Sequence, residues 1–225
     1  MQLIRKYKIS LEELLEGSIS KIYRRIIFTA NERKKNVKYS RVLCKMLPSY
    51  LCSFNYKVHN DLLPVNTKFR MYCLDNDSCC YFCSVGPESI FHIFGTCEKL
   101  EVLWKIATET VFNVTQFHCD FTLLRKNLML DLVSVPFIIN SFSTEKMLIY
   151  FNTVLNFAIW KERNEIKYNF KIFSLDSVVR RVIRSMTGRR NIDDRLLGNR
   201  KVPFIRDLCS IFQAVTKKYF PIDNG

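Results

Sequence analysis

Residues 78–97 read SCCYFCSVGPESIFHIFGTC, and this stretch gathers four of the nine cysteines and one of the three histidines of the chain. Within it Cys80, Cys83, His92 and Cys97 are spaced C-x2-C-x8-H-x4-C. A two-residue gap lets a tight turn aim two thiolates at one ion, and Gly86-Pro87 can reverse the chain. His92 and Cys97 then complete a tetrahedron of the sulfur and nitrogen donors that zinc takes. Four protein ligands leave no open position, so one structural zinc ion is expected rather than a hydrolytic one. Cys79 competes with Cys80 through a three-residue gap, and Cys73 is a more remote alternative. The plainer reading is buried reduced cysteines beside a satisfied histidine. Glu88 lies four residues before His92, so on a helical turn it would face the imidazole and accept its ring N–H. Otherwise Glu88 is a surface acid favouring a helix N-terminus.

Outward from this stretch the pattern is helical. Ser49–His59 reads as a helix after Pro48, Asn60-Asp61 as a turn, and Pro64 as the opening of a short helix around 65–73. Upstream, Ser10 and Glu13 fit a capping box before an apolar face running from Leu11 to Ile27. Tyr39–Leu47 is a second helical stretch. Downstream, periodicity resumes at Cys97 or Glu98 with Leu100, Leu103, Trp104 and Val111. Asp120–Val133 reads as a helix and Phe137–Phe142 as extended. Thr144 caps a long helix to about residue 169, apolar on most sides and so expected in the core. Leu175–Thr187 is amphipathic: Leu175, Val178, Val179, Val182, Ile183 and Met186 on one face, Arg180, Arg181 and Arg184 on the other. Gly188 suits the position just past its end, and Asp193-Asp194 reads as a loop or solvated turn. A final helix spans about Phe204–Tyr219. Cys44, Cys52, Cys119 and Cys209 stand apart and read as core residues.

The chain has 225 residues and a formal net charge of +14, with 48% apolar residues. That apolar fraction excludes intrinsic disorder, and no apolar run reaches the ~18–20 residues of a membrane span. The start, MQLIRKYKISLEELLE, has acids where a signal peptide needs its apolar stretch. An intracellular protein of nucleus or cytoplasm, neither secreted nor membrane-bound, is expected. Its charge is uneven. Residues 1–72 hold 15 basic and 5 acidic side chains, residues 73–170 hold 8 and 11, and residues 171–225 hold 12 and 5. The dense clusters are Arg33, Lys34, Lys35 and Lys38, then Arg180, Arg181 and Arg184, then Arg189 and Arg190. Such clusters neutralise phosphates, or else they form a solvated face that keeps the protein soluble.

Residues Val58–Trp104 resemble the zinc-binding module C-terminal to the reverse transcriptase of non-LTR (LINE-type) retrotransposons. The likeness rests on Asn60, Leu63-Pro64, Cys80, Cys83, Glu88, His92-Ile93-Phe94, Cys97 and Trp104. Trp160-Lys161-Glu162-Arg163-Asn164 is similar to the W-x-x-R-N signature of the helical region that follows, which ends in a basic segment, as at Arg180–Arg190. The resemblance implies a region that holds template RNA or target DNA for a neighbouring polymerase. The aromatic-x-Asp-Asp signature of that polymerase is absent from the chain, as is a separate endonuclease region, so a gene fragment, a relic or a co-opted domain is expected.

The resulting reading is a mainly α fold: a helical domain with an inserted small CCHC zinc knuckle, built as a short β-hairpin plus a helix turn. Its parts are an N-terminal basic helical region (1–73), the knuckle (74–104) and a C-terminal helical region with a basic tail (105–225), together one compact unit. The expected partner is nucleic acid, either RNA or single-stranded or target DNA, held by the basic clusters. Tyr81, Phe82 and Phe94 are candidates to stack on unpaired bases, with Phe94 favoured as knuckle packing. Trp104 and Trp160 read as core. The alternative is a zinc-stapled helical scaffold whose basic faces meet an acidic protein. No Ser/His/Asp order, paired acidic motif or glycine-rich phosphate loop points to an enzyme.

Overall fold

The computed structural model describes residues 47–69, 78–115, 142–197 and 203–220. All of them fall in one compact unit, 43–225. The helices expected before Leu47 and over Asp120–Val133, and the cluster Arg33, Lys34, Lys35 and Lys38, lie outside the described residues. So does the extended stretch expected after Pro136, except Phe142, which begins a helix.

Helix α1 is Ser49–His59, with the bounds expected from Pro48 and Asn60. Pro48 accepts the first helical N–H bonds through its carbonyl, from Leu51 and Cys52. At the far end the Asn60 side chain caps the Tyr56 carbonyl at 2.9 Å. Asp61 then takes a left-handed backbone, φ 54, which aspartate tolerates better than most residues. Leu51, Phe54 and Val58 form its buried face. A single turn, α2 (Asn66–Phe69), follows; residues 70–73, the rest of the expected short helix, are outside the described segments.

Four longer helices build the body: α3 (Glu101–Thr115), α4 (Phe142–Asn169), α5 (Leu175–Leu197) and α6 (Pro203–Tyr219). Helix α3 packs on α6, α6 on α5, α5 on α4, and α4 on α1. Helix α4 is central. Residues 148–156 along it are all buried, as expected of a helix apolar on most sides. Two of its polar side chains find acceptors: Thr153 donates to the Ile149 carbonyl at 2.7 Å, and Tyr150 donates to the Ser185 carbonyl of α5 at 3.3 Å. Phe151 meets Phe212 of α6 edge-on, ring centroids 5.6 Å apart.

Helix α5 buries Val178, Val179, Val182 and Met186 and leaves Arg180 and Arg184 exposed, the amphipathic division read from sequence. It does not stop at Gly188. It runs through that glycine to Leu197, so Asp193 and Asp194 lie on a helix and not in a loop. A glycine lowers helix propensity without forbidding helix, and here it ends nothing.

The mainly α architecture stands, but the expected short β-hairpin does not appear among the described residues. One antiparallel bridge pairs Cys79 with Pro87. It is flanked by Cys80 N–H to the Gly86 carbonyl at 2.8 Å and Glu88 N–H to the Ser78 carbonyl at 2.7 Å. Pairing goes no further inward because the chain must turn at once to bring Cys83 back beside Cys80. The Ser84 N–H closes that turn on the Cys80 carbonyl at 2.8 Å, with Ser84 itself left-handed at φ 58. After the bridge comes the expected helix turn, as a π-helical turn over His92–Thr96 and a 3-10 turn over Glu98–Leu100 leading into α3.

Candidate metal centre

The turn at residues 80–84 presents Cys80 and Cys83, the π-helical turn presents His92, and Cys97 stands at its exit. The ligand atoms of these four side chains all lie within 4.8 Å of one another. Ligands ~2.0–2.3 Å from one tetrahedral zinc stand ~3.3–3.8 Å apart, and Cys83 Sγ lies 3.3 Å from His92 Nε2. The donor set and its size therefore fit one structural zinc ion. Cys79 is outside the group. Its backbone is spent in the bridge to Pro87 and its carbonyl accepts the Asn66 side chain at 2.8 Å.

Electrostatics around the sulfurs suit a cation. The Phe82 N–H lies 3.4 Å from Cys80 Sγ. A hydrogen bond to Cys97, with burial, pushes the Cys80 thiol far above its ordinary range. The same bond holds Cys97 below its ordinary value. Cys80 and Cys97 thus crowd one another, and a divalent ion between them would draw both as thiolates. At the imidazole, Nε2 faces the sulfurs while Nδ1 lies 3.3 Å from Thr96 Oγ1. Thr96, not Glu88, orients the ring.

Glu88 does something the sequence reading missed. It is neither a surface acid nor a histidine partner: it is fully buried. Arg163 of α4, also fully buried, grips it with Nε at 3.1 and 3.2 Å from its two oxygens and with a second ion-pair contact from the guanidinium terminus. The Asn66 N–H donates to the same carboxylate at 2.9 Å, and Asn66 Oδ1 accepts from Arg163 at 3.1 Å. Tyr81 and Trp160 lie against the guanidinium, ring centroids 5.1 and 4.9 Å from Cζ. Arg163 of the Trp160–Asn164 motif thereby fastens the metal turn to the central helix. The motif was visible in sequence, but nothing local named its partner 75 residues away.

The neighbouring acid makes a second anchor. Glu162, fully buried, accepts from Ser177 at 2.9 Å and from Lys171 at 3.2 Å, and lies 3.5 Å from Arg181. Consecutive residues of α4 thus fix the metal turn on one side and the α4–α5 corner on the other.

Of the expected nucleic-acid contacts, Arg180 and Arg184 are exposed. Arg180 pairs with Asp176 one turn earlier. Arg181 is half-buried, drawn toward Glu162 and Glu165. Arg189 is half-buried, and Arg190 lies on α5 with its side chain outside the described set. Phe82 and Phe94 are buried and offer no face to a base: Phe82 packs edge-on to Phe173 at 5.1 Å and Phe94 edge-on to Phe54 at 6.3 Å. Tyr81 is half-buried against Arg163 and Lys167. Trp104 and Trp160 are buried, as expected.

No helix among the described residues is long and apolar enough to cross a membrane. No curated protein and no solved structure matches the chain. A family model described as zinc-binding in reverse transcriptase matches residues 18–104, a segment that contains all four converging ligands and ends at Trp104. Residues 18–104 thus resemble the zinc-binding region of reverse transcriptases, and the four ligands within them fit one zinc ion.

Proposed function

We propose that this chain holds nucleic acid for a reverse-transcribing element of the non-LTR type, with zinc as a structural staple and no catalysis of its own. The reading is supported by one arrangement. The zinc turn is locked through Glu88 and Arg163 onto the central helix, and the helix packed against that one, α5, turns Arg180 and Arg184 to solvent. Arginines on a rigid helix face neutralise phosphates, and the formal charge of +14 adds a long-range attraction. The group at the metal is closed by four protein ligands, which suits a scaffold rather than a Lewis acid.

The test is a mobility-shift series of the zinc-loaded chain on single-stranded RNA and single-stranded DNA over increasing salt. Binding should weaken steeply, by about 0.7 in log K per log salt for each phosphate neutralised on a single strand. Absence of binding at low salt, or binding indifferent to salt, would sink the reading. The scaffold alternative predicts instead that Arg180→Ala with Arg184→Ala leaves nucleic-acid affinity unchanged.

A further inference from the structure

The α4–α5 corner, residues 170–174, carries side chains that the fold does not use. Phe170 is 90% exposed and Ile172 is 88% exposed, and Tyr168, on the last turn of α4, is 56% exposed. Phe170 follows the last residue of α4 directly and has a left-handed backbone, φ 52. That position after a helix is where glycine, and sometimes asparagine, serves without strain. A bulky aromatic there is an outlier, and this one recovers nothing by burial. Backbone strain retained at an exposed side chain is a pointer to use.

The corner is also held in place. Lys171 donates to Glu162 at 3.2 Å and to Ser177 at 2.8 Å. Ser174 N–H reaches Glu162 at 3.4 Å, and Phe173 packs on Phe82 of the metal turn. Residues 171 and 173 are thus drawn in while 170 and 172 stand out. Ser177, bonded to Lys171, also lines an open cup of ≈ 260 Å³ with Asp176, Arg180, Arg181 and Arg184. The exposed ring and the basic cup therefore share one corner.

We propose that this corner seats an unpaired stretch of nucleic acid: a base stacks on Phe170 while a neighbouring phosphate sits in the cup against the exposed Arg180 and Arg184. An aromatic face beside a basic groove is how single strands are held without sequence preference. Charge favours this occupant over an apolar protein face. The arginines of the cup outnumber Asp176, whose exposed pair with Arg180 is of the weak i,i+4 kind and yields to a phosphate. The proposal rests on the nucleic-acid reading above and adds the site, the strand state and the contact type.

The test uses the zinc-loaded full chain and a fluorescent oligothymidine, with a matched abasic strand and a duplex as controls. Phe170→Gly removes the ring and suits the backbone, so thermal stability should hold or rise. Affinity for oligothymidine should fall about 5- to 150-fold, the range for losing one base–aromatic stack, with the salt slope unchanged. The abasic strand should not notice the substitution, and the duplex should bind more weakly than the single strand. Arg180→Ala with Arg184→Ala should instead flatten the salt slope on both strands. If the unaltered chain binds oligothymidine and Phe170→Gly binds it equally well, the proposal fails while the general reading survives. If the unaltered chain binds no nucleic acid at low salt, both fail. If Phe170→Gly abolishes self-association in ultracentrifugation at unchanged strand affinity, the tip is a protein contact and the proposal is overturned.

Discussion

Arg163 is fully buried, paired with Glu88, bonded to Asn66 and enclosed by two aromatic rings. A buried ion pair of this kind is costly to break from one side, since the survivor stays charged and unpaired. Arg163→Met or Glu88→Gln alone should each lower unfolding free energy by about 3–5 kcal/mol. Combining the two should cost clearly less than the sum, because neither charge is then stranded. Urea unfolding of the four variants of this cycle checks it; additive losses would mean that the two side chains do not act as a pair. Thr96 sets a smaller prediction. Its hydroxyl fixes the His92 ring through Nδ1, so Thr96→Val should weaken zinc binding by about tenfold, at the lower end of the range for outer partners of a ligand. Competition with a zinc-responsive dye would read that change, and an unaltered affinity would return the orienting role to another group. Glu88 had looked like the candidate for this task because it precedes His92 by four residues. That spacing shares a face only if the segment is helical throughout, and the helix starts at Ile90. Proximity in sequence was therefore no guide to the partner of Glu88.

At the scale of elements, Gly188 separates two readings of α5. As a residue just past a helix end, in a left-handed conformation, it would resist any side chain. Inside a continuing helix with nothing within 4 Å of an added Cβ, it only adds freedom to the unfolded chain. Gly188→Ala should therefore stabilise the protein by about 0.5–1 kcal/mol, visible as a higher midpoint in urea. A loss of similar size would restore the glycine stop at Thr187. Helices were legible element by element wherever the apolar spacing was strong. Ser49–His59 has its expected bounds because Pro48 and Asn60 act locally. The end of α5 was not legible, because continuing a helix past a glycine depends on what the next turns gain. The hairpin was misjudged for a related reason: thiolate convergence demands a tight turn after one bridge, and spacing does not say how much ladder survives it.

For the whole molecule, the decisive fact is that the metal turn has no core of its own. Cys80, Phe82, Ile90, Ile93, Phe94 and Cys97 belong to the same buried cluster as Trp104, Phe151, Val178 and Phe212. Zinc binding energy is then folding energy for the body and not just for a loop. Chelation should lower the melting temperature of residues 43–225 as a single transition and raise amide exchange within α4 as well as within 78–97. Melting confined to 78–97, with α4 protection intact, would show the turn to be separable. Lowering the pH should act in the same direction as the chelator, since protons compete with zinc for three thiolates and an imidazole. Both effects should be reversed by excess zinc at neutral pH.

The sequence by itself determined the ligand set, the helical class and the amphipathic division of α5. Each of these rests on short-range spacing: a turn that aims two thiolates, a 3.6-residue repeat, charges opposite an apolar stripe. Only the tertiary structure decided where the buried charges go and which aromatics meet solvent. Glu88 and Arg163 are 75 residues apart and find each other because removing water from one charge requires the other. Phe82 and Phe94 turn inward, and Phe170 turns outward, because burial is settled by which neighbours close over a side chain, and those neighbours come from distant parts of the chain.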